Sequence, residues 1–349
     1  DTAKEVVTAD YLDTMDRGCD ENDALADYCT PAVTVDDILT IKHQCDDFIT
    51  IRAQAMSNDQ LVQACAQMAE VATSFHDFFA TNSLPVADDN NTQLEVVVYA
   101  SPEDYEAYGY EFFGHNTDNG GIYLEGTPSE PGNIARFHAM QCPDSWVGYS
   151  CEQAGEVYNL QHEFVHYLDG RFNLYGAFAY HDNTVSWAEG WAEYLSKGAG
   201  NPRNLNSVVG ENIPPFHNTL FMDYGFNNLY PWSYLAMQYL AEERPADVAT
   251  LAQALRNSDT SLYQAALAQV SATDGDGFLN WVQANTDAIA PPPQIIPPAN
   301  TFGSCDLVYQ YARDTSTGAS VTITNSTDTP VTLYWINDGT GEINFDSPY

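Results

Sequence analysis

Basic side chains are scarce in this 349-residue chain: 11 Lys and Arg stand against 49 Asp and Glu, for a net charge of −38. A field of that sign repels phosphate, which excludes a nucleic-acid partner. The acids are dispersed along the chain and form a solvated surface suited to a salty or calcium-rich medium, where repulsion is screened. No apolar run approaches 18 residues, so no helix spans a membrane and no membrane partner is expected. There is no internal repeat. The chain opens on Asp1 without a methionine or a readable signal peptide, and a processed or excised protein is expected.

Cysteine is used sparingly, at positions 19, 29, 45, 65, 142, 151 and 305, and the spacing fits no zinc knuckle. Local disulfides in a secreted, extracellular protein are the simpler reading. Cys142 is expected to pair with Cys151, Cys45 with Cys65 and Cys19 with Cys29. Cys305 is left odd, its partner expected beyond the end of the chain.

Residues 1–44 are acidic and without a clear period, and read as a lead-in segment. A β-rich stretch at 47–53 precedes a helical pattern at 57–79 with Ser57 as N-cap. Strands follow at 93–100 and, flanked by glycine and expected at a sheet edge, at 120–126. Beyond Cys151 the spacing is helical over 152–169, 184–198 and 230–243, with shorter helices to about 287. The proline-rich run 289–300 reads as a linker, and 301–349 as a short β-rich segment.

The chemistry concentrates in "NLQHEFVHYLDGRF", where His162 and His166 flank Glu163. On a helix, positions i and i+4 share a face, so two imidazoles can hold one zinc while the glutamate points toward its water. By composition alone such a run is a roughly 1% accident. Val157, Leu160, Val165 and Leu168 give the helix an apolar stripe, which Gly170 is expected to end. Downstream, "TVSWAEGWAEYLSKG" carries Glu189 and Glu193 on one face, and a helix turning back can bring either to the metal. Glu189 then completes a His–His–Glu set, and Glu193 bonds a ligand histidine from behind. Zinc in such a set lowers the pKa of its water and polarises a carbonyl, and Glu163 serves as general base. Candidates for a donor to the oxyanion are His181, His217, Tyr224 and Tyr230. "NGGIYLE", with Gly120, Gly121 and Tyr123, is the candidate strand for pairing with an extended peptide.

From about residue 45 to 288 the chain resembles the peptidase domain of the bacterial collagenases, closest to the vibrio type. The resemblance rests on "NTDNGGIYLE" (116–125), "HEFVHYLDGRF" (162–172), "WAEGWAEYL" (187–195) and "MDYGFNNLYPWSYLAMQYL" (222–240). HExxH alone is shared by many zincins; the extension and GGIYLE are more specific. The resemblance implies a zinc metalloendopeptidase of the gluzincin type, with ligands His162, His166 and Glu189 and general base Glu163. It implies that Tyr224 stabilises the oxyanion, and that Gly121 lies on the substrate-binding strand. Glu125, with the carbonyls of Leu174, Gly176 and Phe178, is implied to bind calcium near the active site.

The implied fold is α+β and zincin-like. A small mixed-sheet upper subdomain (about 45–180) sits over a mainly helical lower one (181–288), with the cleft between them. Collagen, gelatin or collagen-like peptides are the implied substrates, and a monomer is expected. Residues 1–44 are too short for the helical activator domain of relatives that attack native collagen, so gelatin and short peptides are the expected targets. Two other readings stay open: a broad-specificity zinc protease on the same scaffold, and a catalytically inactive matrix-binding protein.

Overall fold

A five-stranded mixed sheet carries the first half of the protein. The computed structural model describes residues 33–148, 150–176, 182–287, 334–336 and 343–345. The chain divides into two units, Asp1–Pro291 and Pro292–Tyr349. In the first, one helical turn α1 (Val35–Ile38) leads to strands β1 (Ile41–Gln44) and β2 (Ile49–Ala53), helix α2 (Asn58–Phe79), β3 (Gln93–Tyr99), α3 (Pro102–Phe113), β4 (Ile122–Leu124) and β5 (Ile134–Met140). The sheet order is β1-β2-β3-β5-β4; β2, β3 and β5 run parallel, and β1 and β4 are antiparallel edges.

Side-chain alternation explains why β3 is apolar on both faces from Val96 to Tyr99. Leu94, Val96 and Val98 enter the large core, while Val97 and Tyr99 join a smaller cluster with Leu39, Tyr105 and Met140 on the opposite face. Helix α2 covers the first face with Leu61, Ala64, Met68, Val71, Phe75 and Phe79, buried at helical spacing. Its Ser57 cap accepts from the Gln60 amide, and the Gln60 side chain accepts in return from the Ser57 amide.

The second half is helical: α4 (Leu160–Phe172), α5 (Val185–Lys197), α6 (Pro202–Asn206), α7 (Phe216–Leu220), α8 (Leu229–Glu243), α9 (Pro245–Arg256), α10 (Thr260–Thr273) and α11 (Gly275–Asp287). No helix among the described residues is long and apolar enough to cross a membrane. The second unit contributes one described antiparallel pair, β6 (Tyr334–Ile336) with β7 (Ile343–Phe345). The α+β, zincin-like architecture is therefore present.

Several boundaries differ from the sequence expectation. The sheet begins inside the acidic lead-in, because β1 at 41–44 pairs with β2 and is tied to α2 by the Cys45–Cys65 disulfide. Helix α4 starts at Leu160 rather than 152. Upstream, the Glu156 carboxylate accepts from the amides of Glu152 and Gln153, Gln141 bridges to Val157, and Asn159 is left-handed at φ 56°. Gly170 does not end α4 but lies inside it, where a Cβ would meet Glu125 Oε1 at 2.9 Å and the Tyr123 hydroxyl at 3.2 Å. The helix is buried nearly all round instead of along one stripe. Cys142–Cys151 is formed; Cys19, Cys29 and Cys305 lie outside the described residues, as does most of the expected β-rich segment 301–349.

Candidate active site

Two helices supply the centre, and the residues after the HExxH run join them. Asp169 on α4 accepts the indole N–H of Trp187 on α5, at 3.2 and 3.1 Å to its two oxygens, and an Asn173 amide at 2.8 Å. Arg256 then clamps the end of α4, donating to the Phe172 carbonyl and to Asn173 Oδ1. Arg171 pairs with Asp89 at 2.9 Å and lies over the Phe48 ring. On its other side α5 presses on α8 at Gly190, where a Cβ would sit 2.5 Å from the Ser233 carbonyl oxygen. These contacts fix which turn of α5 meets the histidines.

His162, His166 and Glu189 converge. Nε2 of His162 lies 3.1 Å from Nε2 of His166, and Glu189 Oε2 lies 3.3 and 3.4 Å from the two nitrogens. Glu189 Oε2 is buried and makes no hydrogen bond. Behind the pair, Glu193 Oε1 sits 3.1 Å from His162 Nδ1; a proton held there leaves the Nε2 lone pair pointing inward. With both Nε2 atoms unprotonated, three lone-pair atoms face one another at 3.1–3.4 Å and repel, a repulsion that a shared proton or a metal ion among them relieves. Tetrahedral ligands about 2.05 Å from zinc are about 3.3 Å apart, so the donor set and its spacing fit that ion.

The electrostatics agree. Burial alone would lower the pKa of His162, but Glu189 and Glu193 outweigh it and push it up to about 10. Glu189 is buried too, yet the two histidines hold it well below the usual carboxylate range. The centre is built to hold positive charge. Glu163, one residue along, is instead raised by burial, against the pull of His162 and His166. A carboxylate that binds a proton readily is what a general base beside the centre requires.

A cleft of about 310 Å³ opens onto His162, Glu163 and Glu193. One wall is Asn119, Gly120 and Gly121 at the start of β4; another is Tyr230 on α8. Gly121 has φ +150°, and a Cβ there would lie 2.8 Å from Glu163 Oε1, so glycine is required by both conformation and space. Asn119 Oδ1 accepts from the Gly121 amide at 3.2 Å and from the Tyr105 hydroxyl, fixing the turn. The Tyr123 side chain turns away from the cleft, its ring against Tyr167 of α4.

The oxyanion candidates separate. The Tyr224 hydroxyl donates to Glu189 Oε1 at 2.9 Å, and the Tyr230 ring lies 6.1 Å from that of His162. His217 is elsewhere, 3.1 Å from the Ser271 hydroxyl, and His181 lies outside the described residues. Of the implied calcium group, the Glu125 carboxylate lies against Gly170, and Leu174 and Gly176 follow the end of α4. Phe178 lies outside the described residues. Sequence reasoning missed Asn119, Tyr158, Asn159, Asn204, Lys197 and Arg203, which also line the cleft or its walls. Only Lys197 left a signal, four residues after Glu193.

Residues 7–281 match the peptidase family M9, collagenase. The chain is 33% identical over 284 residues to a microbial collagenase of Vibrio alginolyticus, covering 80% of this chain and 34% of that protein. It is 36% identical over 220 residues to the microbial collagenase of Vibrio parahaemolyticus, covering 61% and 26%. A collagenase of Bacillus cereus, ColQ1, is 28% identical over 212 residues, covering 56% and 20%. The chain thus spans about a third or less of the length of these curated relatives.

Proposed function

This chain belongs to the collagenase family of metallopeptidases, and from that premise we propose that it is a secreted zinc endopeptidase acting on collagen- or gelatin-like chains. The observation that carries the reading is the meeting of His162, His166 and Glu189 at 3.1–3.4 Å, with Glu163 in the same cleft. Zinc held by these three residues would lower the pKa of a water ligand and draw charge from a carbonyl. Glu163 accepts the proton of the attacking water at a carboxylate oxygen and passes it to the leaving amine, a role its burial-raised proton affinity supports. Glu193 holds the proton of His162 at Nδ1.

An extended substrate pairs with the free edge of β4, where Gly120 and Gly121 permit close main-chain approach. Tyr123 contributes backbone there, since its side chain faces α4. Tyr224 is the proposed oxyanion donor, supported by its hydroxyl already standing at Glu189. A calcium ion at Glu125 with the carbonyls of Leu174, Gly176 and Phe178 is proposed to brace β4 against the end of α4; the position of Glu125 beside Gly170 favours it. The two disulfides favour an oxidising, extracellular setting. The peptidase domain is read as 45–288 with strand β1 added, followed by the linker 289–300 and the segment 301–349, the whole acting as a monomer.

The test is a mass-spectrometric map of cuts in gelatin and in an unrelated unfolded protein, with and without a zinc chelator. Chelator-sensitive cuts clustered in Gly-Xaa-Yaa repeats, absent in Glu163→Ala although that variant still binds zinc, are expected. Unpatterned cutting of both proteins would reduce the enzyme to a general zinc protease. Normal turnover by Glu163→Ala would refute the assigned chemistry.

A further inference from the structure

Eight lysines and arginines lie among the described residues of this strongly acidic chain. Six of them face a carboxylate: Lys42, Arg52, Arg136, Arg171, Lys197 and Arg244. Arg256 is taken up by carbonyl and amide oxygens. Arg203 is the exception: among the described residues its guanidinium has no acceptor, and it lies on the wall of the active-site cleft. Arg203 is exposed, so its charge is free to meet a ligand that enters the cleft.

The segment that carries it is held firmly. Asn201 Oδ1 accepts from the Arg203 and Asn204 amides at 3.0 and 3.2 Å. The Tyr234 hydroxyl donates to the Gly198 carbonyl and accepts from the Asn201 amide, both at 2.8 Å. Asn204 Nδ2 donates to Glu193 Oε2 at 2.9 Å, the same carboxylate that faces His162. The backbone of Arg203 is thereby registered to the catalytic centre, which leaves only the side chain to be ordered when it engages a ligand.

We propose that Arg203 is a specificity-determining residue, binding a carboxylate of the peptide substrate a few residues from the scissile bond. The inference rests on the peptidase reading above. Lys197, which lines the same cleft, is already committed to Glu193, so the unspent charge is that of Arg203. Along α5, the eight residues from Glu189 to Lys197 span about 12 Å. An extended peptide advances about 3.3 Å per residue, which puts the recognised group roughly two to four residues from the cut. A carboxylate fits the guanidinium fork in two parallel bonds. The local positive site also draws an anionic group into a cleft that the net charge of the protein would otherwise repel. The carboxylate can belong to an Asp or Glu side chain or to the C-terminus of a short gelatin fragment.

The experiment uses the full chain and a quenched Gly-Pro-rich peptide series. Glu or Gln is placed two, three or four residues to either side of the cut; in a second arm the peptide ends there as a free acid or an amide. In the native protein one Glu/Gln or acid/amide ratio of kcat/KM is expected to reach about three- to tenfold, a range set by a charge-assisted bond partly screened by solvent. It should fall to about one in Arg203→Gln and recover partly in Arg203→Lys. A preference for Glu identifies a side chain as the source; a preference confined to the free acid identifies the chain terminus. Binding of the same peptides to Glu163→Ala, read by fluorescence polarisation, should show the same ratios in Kd. Ratios near one in the native protein, or ratios that survive Arg203→Gln, overturn the proposal while leaving the peptidase intact. Absence of any chelator-sensitive cleavage sinks the peptidase reading instead, and the polarisation ratios then still decide on Arg203.

Discussion

Replacing Glu193 by glutamine changes one atom of the site and exposes how the metal centre is held. Glu193 Oε1 faces His162 Nδ1 at 3.1 Å, and Oε2 accepts from Asn204 Nδ2 at 2.9 Å and from Lys197 Nζ. All three neighbours are donors, and a glutamine offers them one oxygen and one NH₂ group. With the oxygen toward His162, the NH₂ group meets Asn204 and Lys197; with the amide flipped, it meets the Nδ1 proton. Either way the charge-assisted contact to His162 is lost, replaced at best by a neutral amide oxygen, which costs about 1.5–3 kcal/mol. The partly exposed Lys197 can turn to solvent and adds little. The loss corresponds to a tenfold to roughly hundredfold weaker hold on zinc, the range known for partners that orient a ligand histidine. The assay is competition against buffered zinc, reading Kd for native protein and Glu193→Gln, with peptide turnover recorded at limiting and at saturating zinc. Turnover should fail at limiting zinc and recover within about threefold at saturation. A zinc Kd within twofold of the native value would refute the claim that Glu193 orients His162.

Two further outcomes follow from the same geometry. Gly121→Ala places a Cβ 2.8 Å from Glu163 Oε1 on a backbone at φ +150°, and should lower kcat/KM on the order of a hundredfold and the melting temperature by a few degrees; retention of half the native activity would show that the turn yields. Burial raises Asp169 to about 6 from its ordinary 3.8, against its bonds to Asn173 and Trp187. The folded protein therefore binds this proton more tightly than the unfolded one, and Asp169 adds stability as pH falls from about 6 to about 4, by up to roughly 3 kcal/mol. Asp169→Asn should lack that part of the gain, read as urea midpoints from pH 7.5 to 4; equal slopes in the two proteins would refute it.

Much of the site was legible because helical spacing is a local rule. Two histidines four apart must share a face of α4, and Glu189 and Glu193 must share a face of α5. The strand at 93–99, the cap at Ser57 and the Cys45–Cys65 and Cys142–Cys151 pairs follow from alternation, side-chain chemistry and proximity along the chain. The failures mark where a distant partner overrode a local signal. Gly170 looks like a helix terminator until Tyr123 and Glu125 of another element are seen to need its missing Cβ. Residues 152–159 have helical composition, but the Glu156 side chain binds their amides and diverts the backbone. Strand β1 is too short to carry a period and exists because β2 pairs with it.

By itself, then, the sequence determined which side chains are available to a metal, on which helix faces they lie, and that the family is one of collagenases. Only the tertiary structure decided where each carboxylate stands. The spacing of Glu189 and Glu193 is equally good for either role, and the choice falls on Glu189 because Asp169–Trp187 on one side and Gly190–Ser233 on the other set the turn at which α5 meets α4. The same contacts carry Asn204 to Glu193 and Arg203 to the rim of the cleft. No periodicity relates those residues to the HExxH run, since their proximity to it is created by packing between elements and not by position along the chain.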